Sequence, residues 1–136
     1  MQRIDFQVQP HDVDGQGIVN NVRYYAYLDR ARIHFLETVL RIDFVAWSQE
    51  GKNLILADAN LSFKQSLRLN DRFYILTRPI VDGPIKILIE QRIYHDNGSL
   101  IVKANLTATC VEVYLGKRRF FVPEAFKSYQ KEEAVV

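Results

Sequence analysis

The sequence holds one cysteine, one tryptophan, one methionine and four prolines in 136 residues, and nowhere does it carry an apolar run of about eighteen residues. With Cys110 alone no intrachain disulfide can form, and a disulfide-free chain is expected in a reducing compartment, the cytoplasm. The missing apolar run leaves no helix to cross a bilayer, and the opening Met1-Gln2-Arg3-Ile4-Asp5 lacks the apolar core of a signal peptide. Charge of one sign is scarce too. Eighteen Lys and Arg stand against 16 Asp and Glu, and the net +2 suits neither a duplex-binding face nor a polybasic membrane anchor. Repeats, low-complexity stretches and shifts of composition are absent, so residues 1–136 are expected to form a single domain.

What is present is core material, 48% hydrophobic residues, arranged with clear periods. Ile4, Phe6 and Val8 alternate with polar neighbours over residues 3–9, predicting a strand that ends at Pro10. From about Val22 to Leu40, Tyr25, Leu28, Phe35, Leu36 and Val39 recur at steps of three and four, with Ala31 in the same stripe; this predicts the one long helix, capped from Asn20 and Asn21. After a loop around Gly51, Ile55, Ala57, Ala59, Leu61 and Phe63 form one face of a strand, and residues 71–79 form another run. The turn Asp82-Gly83-Pro84 leads into Ile85, Ile87, Ile89 and Ile93, alternating with Lys86, Glu90 and Arg92, and Asn97-Gly98 supplies the next tight turn.

The last long run, Leu100 to about Leu115, places Val102, Ala104, Leu106, Ala108 and Cys110 on one face before Val111, Val113 and Leu115 take over, which predicts a bulge or a change of covering surface near Cys110. Residues 116–119 can close a hairpin before Phe120, and Pro123 opens a short C-terminal helix. Short turns imply antiparallel pairing. The expected fold is therefore α+β, one amphipathic helix on a curved antiparallel sheet, whose second face and edge require at least a homodimer.

Between the first strand and the helix the chain reads His11-Asp12-Val13-Asp14-Gly15-Gln16-Gly17-Ile18-Val19-Asn20-Asn21-Val22-Arg23-Tyr24. In isolation such aspartates are turn formers that bond their own backbone. Beside a helix start they gain a second meaning. A helix N-terminus offers free N–H groups and partial positive charge to a developing oxyanion, and a nearby carboxylate can attack the carbonyl or take a proton from water. His11, His34 and His95 have no metal-gathering spacing, Cys110 lies within a strand's apolar face, and no G-x-S-x-G segment exists, so zinc, a thiol nucleophile and a serine elbow are not expected.

Residues 12–24 resemble the D-x-D-x-x-G-x-V pattern, helix start and tyrosine of hot-dog-fold thioesterases of the 4-hydroxybenzoyl-CoA type. Leu61-Ser62-Phe63-Lys64, Leu69-Asn70-Asp71, the long final strand and Val122-Pro123-Glu124 fall where that family has comparable pieces, so the resemblance covers most of the chain. It implies a hot-dog fold, with a curved antiparallel sheet of about five strands wrapped around one long helix. It also implies an acyl-CoA thioesterase that releases free acid and CoA, works without cofactor or metal as a homodimer or homotetramer, and has neither nucleic acid nor membrane as partner.

By the resemblance Asp14 is the catalytic carboxylate, as nucleophile or general base, and the backbone N–H of Asn21 holds the thioester carbonyl oxygen. Gly17, Ile18, Val19 and Tyr24 are expected at the substrate, Asp12 shapes the loop, and Gly15 and Gly17 let the backbone turn closely. The phosphates of CoA need cations, for which Lys64, Arg68 and Lys117-Arg118-Arg119 are available, although a charged hairpin is ordinarily just solvated. Many relatives carry histidine where Ile18 stands, which excludes a mechanism needing that imidazole. The Gly17-Ile18-Val19 run and the Asn20-Asn21 pair belong to different branches, so neither branch supplies a substrate. Two other readings stay open: thioesters of acyl-carrier protein as substrate, and a non-catalytic acyl-binding hot-dog module.

Overall fold

The computed structural model describes residues 2–131. Strand β1 (Gln2–Gln7) and a 3-10 turn (Pro10–Asp12) precede helix α1 (Asn21–Thr38) and a short helix α2 (Phe44–Gln49). Strands β2 (Lys52–Phe63), β3 (Arg72–Asp82), β4 (Lys86–His95), β5 (Leu100–Tyr114) and β6 (Lys117–Phe121) follow, and a second 3-10 turn spans Glu124–Tyr129. Every strand pairing is antiparallel; the order across the sheet is β1-β3-β4-β5-β2, with β6 beside the last part of β5. This is the expected α+β hot-dog arrangement, with one strand more than expected and with α2 where a plain loop was expected. Asp43 caps α2 by accepting from Ala46 N, a start signal that lies within a sequence too short for helical periodicity. No helix among the described residues is long and apolar enough to cross a membrane.

Helix α1 packs lengthwise on one face of the sheet. Tyr24, Tyr27, Leu28, Ala31, Phe35 and Leu36 are buried against Phe73, Ile75, Ile89, Ile93, Val102, Ala104 and Leu106. Removing each such side chain from water is worth about 1.5–3 kcal/mol, which makes this face the main source of helix stability. Leu28, Ala31, Phe35 and Leu36 of the expected stripe are buried, but its two ends depart from it. Tyr25 is 51% exposed and Val39 36%, whereas Tyr24 and Tyr27 fill the core.

Two strands also depart from simple alternation. In β2 the register with β5 shifts between Leu56 and Asp58, so Leu54, Leu56, Ala59, Leu61 and Phe63 sit opposite the core residues Cys110, Ala108, Leu106, Ala104 and Val102, and Ile55 falls on the other face. Strand β5 has no bulge at Cys110. Its covering surface changes there instead: pairing with β4 ends at Ala108 and pairing with β6 begins at Cys110. The β5–β6 turn is tighter than expected, Leu115-Gly116, with both residues at positive φ. Phe126, fully buried, ties the C-terminal 3-10 turn to the core.

Candidate active site

The segment joining β1 to α1 doubles back on itself. Val13 pairs with Val19, Asp14 N donates to Ile18 O at 2.9 Å, and Gly17 N donates to Asp14 O at 3.0 Å. This is a hairpin whose last loop residue must adopt a left-handed backbone, and Gly17 does so at φ 79°. Gly15 has no positive φ, so the turn's demand for glycine rests on Gly17. The tip is exposed. Within it, Asp14 Oδ1 accepts from Gln16 N at 2.8 Å, which fixes the rotamer of the carboxylate, while Oδ2 has no partner among the described residues.

The returning arm of this hairpin runs straight into α1. Asn20 is the N-cap: its Oδ1 accepts from Val22 N at 3.0 Å and its carbonyl accepts from Arg23 N at 2.8 Å. Asn21 is the first helical residue, and its N–H has no partner among the described residues. It is one of the free donors that every helix start leaves over, backed by the partial positive charge of an 18-residue helix. The ladder of Asp12, Val13 and Asp14 against Asn20, Val19 and Ile18 thus brings the Asp14 turn and the Asn21 amide into one small structural unit.

Not all the residues expected at the substrate are open to it. Gly17 is exposed and Ile18 half-buried, bridging to Arg68. Val19 and Tyr24 are buried. Val19 is 1% exposed, with its N–H donated to Leu67 O at 2.8 Å. Tyr24 is equally buried, and its hydroxyl accepts from Leu67 N at 2.9 Å, so both residues hold the β2–β3 loop under the hairpin. Burial also raises the pKa of the Tyr24 phenol. Of the cations weighed for CoA, Arg68 adjoins the site through Ile18, and Arg119 is engaged with Glu112 at 2.6 Å. Cys110 is fully buried and its thiol is pushed up to about 12 by desolvation, the opposite of an activated nucleophile.

A second carboxylate supports the first. Asp12 is 2% exposed; Oδ2 accepts from Gln9 N at 3.0 Å, Oδ1 accepts from Arg23 Nε at 2.9 Å, and Arg23 Nη2 forms an ion-pair contact with the same Oδ1 at 2.9 Å. His11 Nε2 lies 3.3 Å from the same Oδ1. Burial works against the Asp12 anion, but the bond from Gln9 N, the nearby Tyr27 hydroxyl and the Arg23 guanidinium outweigh it and hold its pKa below the ordinary value. Tyr27 carries the one buried side-chain polar atom without a geometrically satisfied hydrogen bond among the described residues; burial and the neighbouring Asp12 anion keep its phenol protonated. The sequence signals this cluster only weakly, through a lone arginine in the first turn of a helix, where a cation opposes the dipole.

Residues 8–128 match the family model described as the thioesterase-like superfamily. Among curated proteins, the chloroplastic acyl-acyl carrier protein thioesterase ATL2 of Arabidopsis thaliana is 28% identical over 127 residues, 93% of this chain and 66% of that protein. The acyl-CoA thioesterase YbgC of Haemophilus influenzae is 26% identical over 120 residues, 88% of this chain and 84% of that protein. Across the curated relatives matched, this chain spans between 39% and 84% of their length. Among solved structures, Slr0204, a 1,4-dihydroxy-2-naphthoyl-CoA thioesterase from Synechocystis, superposes with a TM-score of 0.82 at 17% identity, covering 93% of each chain, a likeness of fold.

Proposed function

Because this chain belongs to the thioesterase-like superfamily, we propose that it is an acyl-CoA thioesterase in which the Asp14 carboxylate and the Asn21 amide act on the same thioester carbonyl. The observation that supports this most is the hairpin itself, which carries an exposed carboxylate at its tip and delivers its other arm to an unpaired helix N–H. In the reaction the carbonyl oxygen takes up negative charge against the Asn21 N–H, the carbonyl carbon gains a bond to oxygen, and the carbon–sulfur bond breaks. The oxygen comes from water. Asp14 either attacks first, forming an anhydride that water opens, or removes the proton of the attacking water; the proton ends on the departing thiolate, giving free acid and CoA thiol.

The exposed tip leaves the acyl group unsheltered in a single protomer, which supports a homodimer as the working unit. Val22, Tyr25 and Ile33 form an exposed apolar stripe on α1, and Leu56 and Phe63 lie on the exposed edge strand β2. A cleft of about 330 Å³ between them is lined by Ile33, Leu36, Phe44, Leu54 and Leu56 and rimmed by Asp29, Arg32 and Glu37. A second copy would cover it and supply a wall beside Asp14. The lone buried thiol is consistent with a reducing compartment such as the cytoplasm.

The test is release of free thiol, read colorimetrically, from a panel of aromatic, short and medium acyl-CoA thioesters with the purified chain. Turnover of at least one class is expected, and no release across the panel contradicts the reading in favour of a binding module. The similarity to an acyl-acyl carrier protein thioesterase supports a second reading, acyl-carrier-protein thioesters as substrates. It predicts a kcat/KM for the acyl-carrier-protein thioester well above that for the CoA thioester of the same acyl group.

A further inference from the structure

We propose that Asp12 and Arg23 act as a positioning pair, a partly buried ion-pair clamp that sets the separation between the Asp14 carboxylate and the Asn21 amide. The inference rests on the reading of Asp14 and Asn21 given above and adds residues that touch no substrate. Asp12 lies two residues before Asp14, and Arg23 two residues after Asn21, so their ion pair bridges the open end of the same hairpin whose tip carries the carboxylate. Arg23 Nε donates to one oxygen of a carboxylate that is 2% exposed, and Nη2 lies at ion-pair distance, 2.9 Å, from the same oxygen. Charge-assisted bonds of this kind are short and directional, so the clamp restricts rotation as well as distance.

Three further observations favour a clamp over a chance pairing. Arg23 occupies the first turn of α1, a turn without any acidic residue, where its charge opposes the helix dipole; the helix tolerates it because Asp12 answers it. Asp12 is held from its other side as well: its N–H donates to Gln9 O at 2.9 Å, its Oδ2 accepts from Gln9 N, and its carbonyl accepts from Asn20 N at 3.1 Å. Tyr27, one turn further along α1, places its buried hydroxyl near the same carboxylate. Asp12 is therefore fixed to Gln9 just beyond β1, to the helix cap Asn20 and to Arg23 in the first helical turn at once. A carboxylate two residues away inherits that precision.

The experiment compares Asp12→Asn, Arg23→Met, Arg23→Lys and the double variant Asp12→Asn/Arg23→Met with wild type and with Asp14→Asn, all well below their unfolding midpoints. A misplacement of about 1 Å costs roughly 10²-fold in rate. Arg23→Met and Asp12→Asn are each expected to lower kcat by about 10- to 100-fold with KM within about threefold of wild type, and the double variant to be no worse than the worse single. Arg23→Lys, which keeps the charge but loses the fork, is expected to fall between Arg23→Met and wild type.

A kcat within about threefold of wild type in Arg23→Met, or single losses that multiply in the double, overturns the clamp. If Arg23→Met does not fold, Arg23→Lys decides: an unchanged kcat overturns the proposal and a lowered kcat at constant KM supports it. Asp14→Asn separates the two levels. Full activity there removes the underlying reading of Asp14, whereas loss at Asp14 with no loss at Arg23 removes the clamp alone.

Discussion

Gly17 and Leu115 both hold a left-handed backbone, at φ 79° and 49°, and only one of them is suited to it. Gly17 closes the hairpin behind Asp14 at no steric cost, whereas Leu115 sets a Cβ against its own carbonyl while its side chain is 84% exposed and gains nothing from packing. Leu115→Asn, a residue that tolerates this conformation, is therefore expected to raise stability by about 0.5–1 kcal/mol, seen as a higher thermal midpoint; a lower midpoint contradicts the strain argument. Asp12 governs the acid response. Its folded pKa lies below the ordinary 3.8, so its contribution is fully present above the unfolded value and is lost as pH falls through the lower folded one. Between about pH 5 and about pH 2 the denaturant midpoint of wild type should fall more steeply than that of Asp12→Asn, and parallel curves would sink the assignment. At this scale the sequence is legible where a motif names a residue, as at Asp14 and Asn21. It does not show that Val19 and Tyr24 are tied to the β2–β3 loop, because that depends on contacts with Leu67, 43 residues away from Tyr24.

Helix α1 is bound to the sheet by a polar network as well as by apolar packing. Arg32, 7% exposed, donates from Nη1 to Gln91 Oε1 at 3.0 Å and from Nη2 to Asp29 at 3.0 Å; Gln91 Nε2 in turn donates to Leu28 O and to Thr77 Oγ1. Burial lowers the pKa of Arg32, and Asp29 opposes that shift. Gln91→Leu matches the site in size but orphans the Arg32 Nη1 donor and removes the second bond to the Leu28 carbonyl. It should cost about 3 kcal/mol by urea unfolding, and a cost near zero would mean that water replaces the amide. Period alone revealed that α1 exists, roughly where it ends and that Leu28, Ala31, Phe35 and Leu36 face the core, but not that Tyr24 and Tyr27 replace Tyr25 there, because Val22, Tyr25 and Ile33 make a second apolar stripe. The β2 bulge was hidden for a similar reason. Apolar residues on both sides of Ala57 alternate plausibly in either register, and only pairing with β5 decides between them.

On the scale of the whole molecule, the second stripe of α1, the edge of β2 and the cleft between them make a surface that a lone protomer leaves exposed. Ile33→Asp, near the middle of that surface, is expected to shift sedimentation from dimer toward monomer and to lower activity in step with the monomer fraction. A wild-type protein that sediments as a monomer at assay concentration contradicts this. The α+β class and antiparallel order were legible because short turns such as Asp82-Gly83-Pro84 leave few topologies, while the placement of β2 at the far edge beside β5 is a long-range choice that no local pattern encodes. Thioester cleavage as proposed depends on the Asp14 carboxylate at the tip of the hairpin. Its most direct test is the kcat of Asp14→Asn against wild type on the best acyl-CoA of the panel, with thermal midpoint and sedimentation unchanged. A loss of about 10²- to 10⁴-fold is the outcome this account predicts, and equal rates would contradict it.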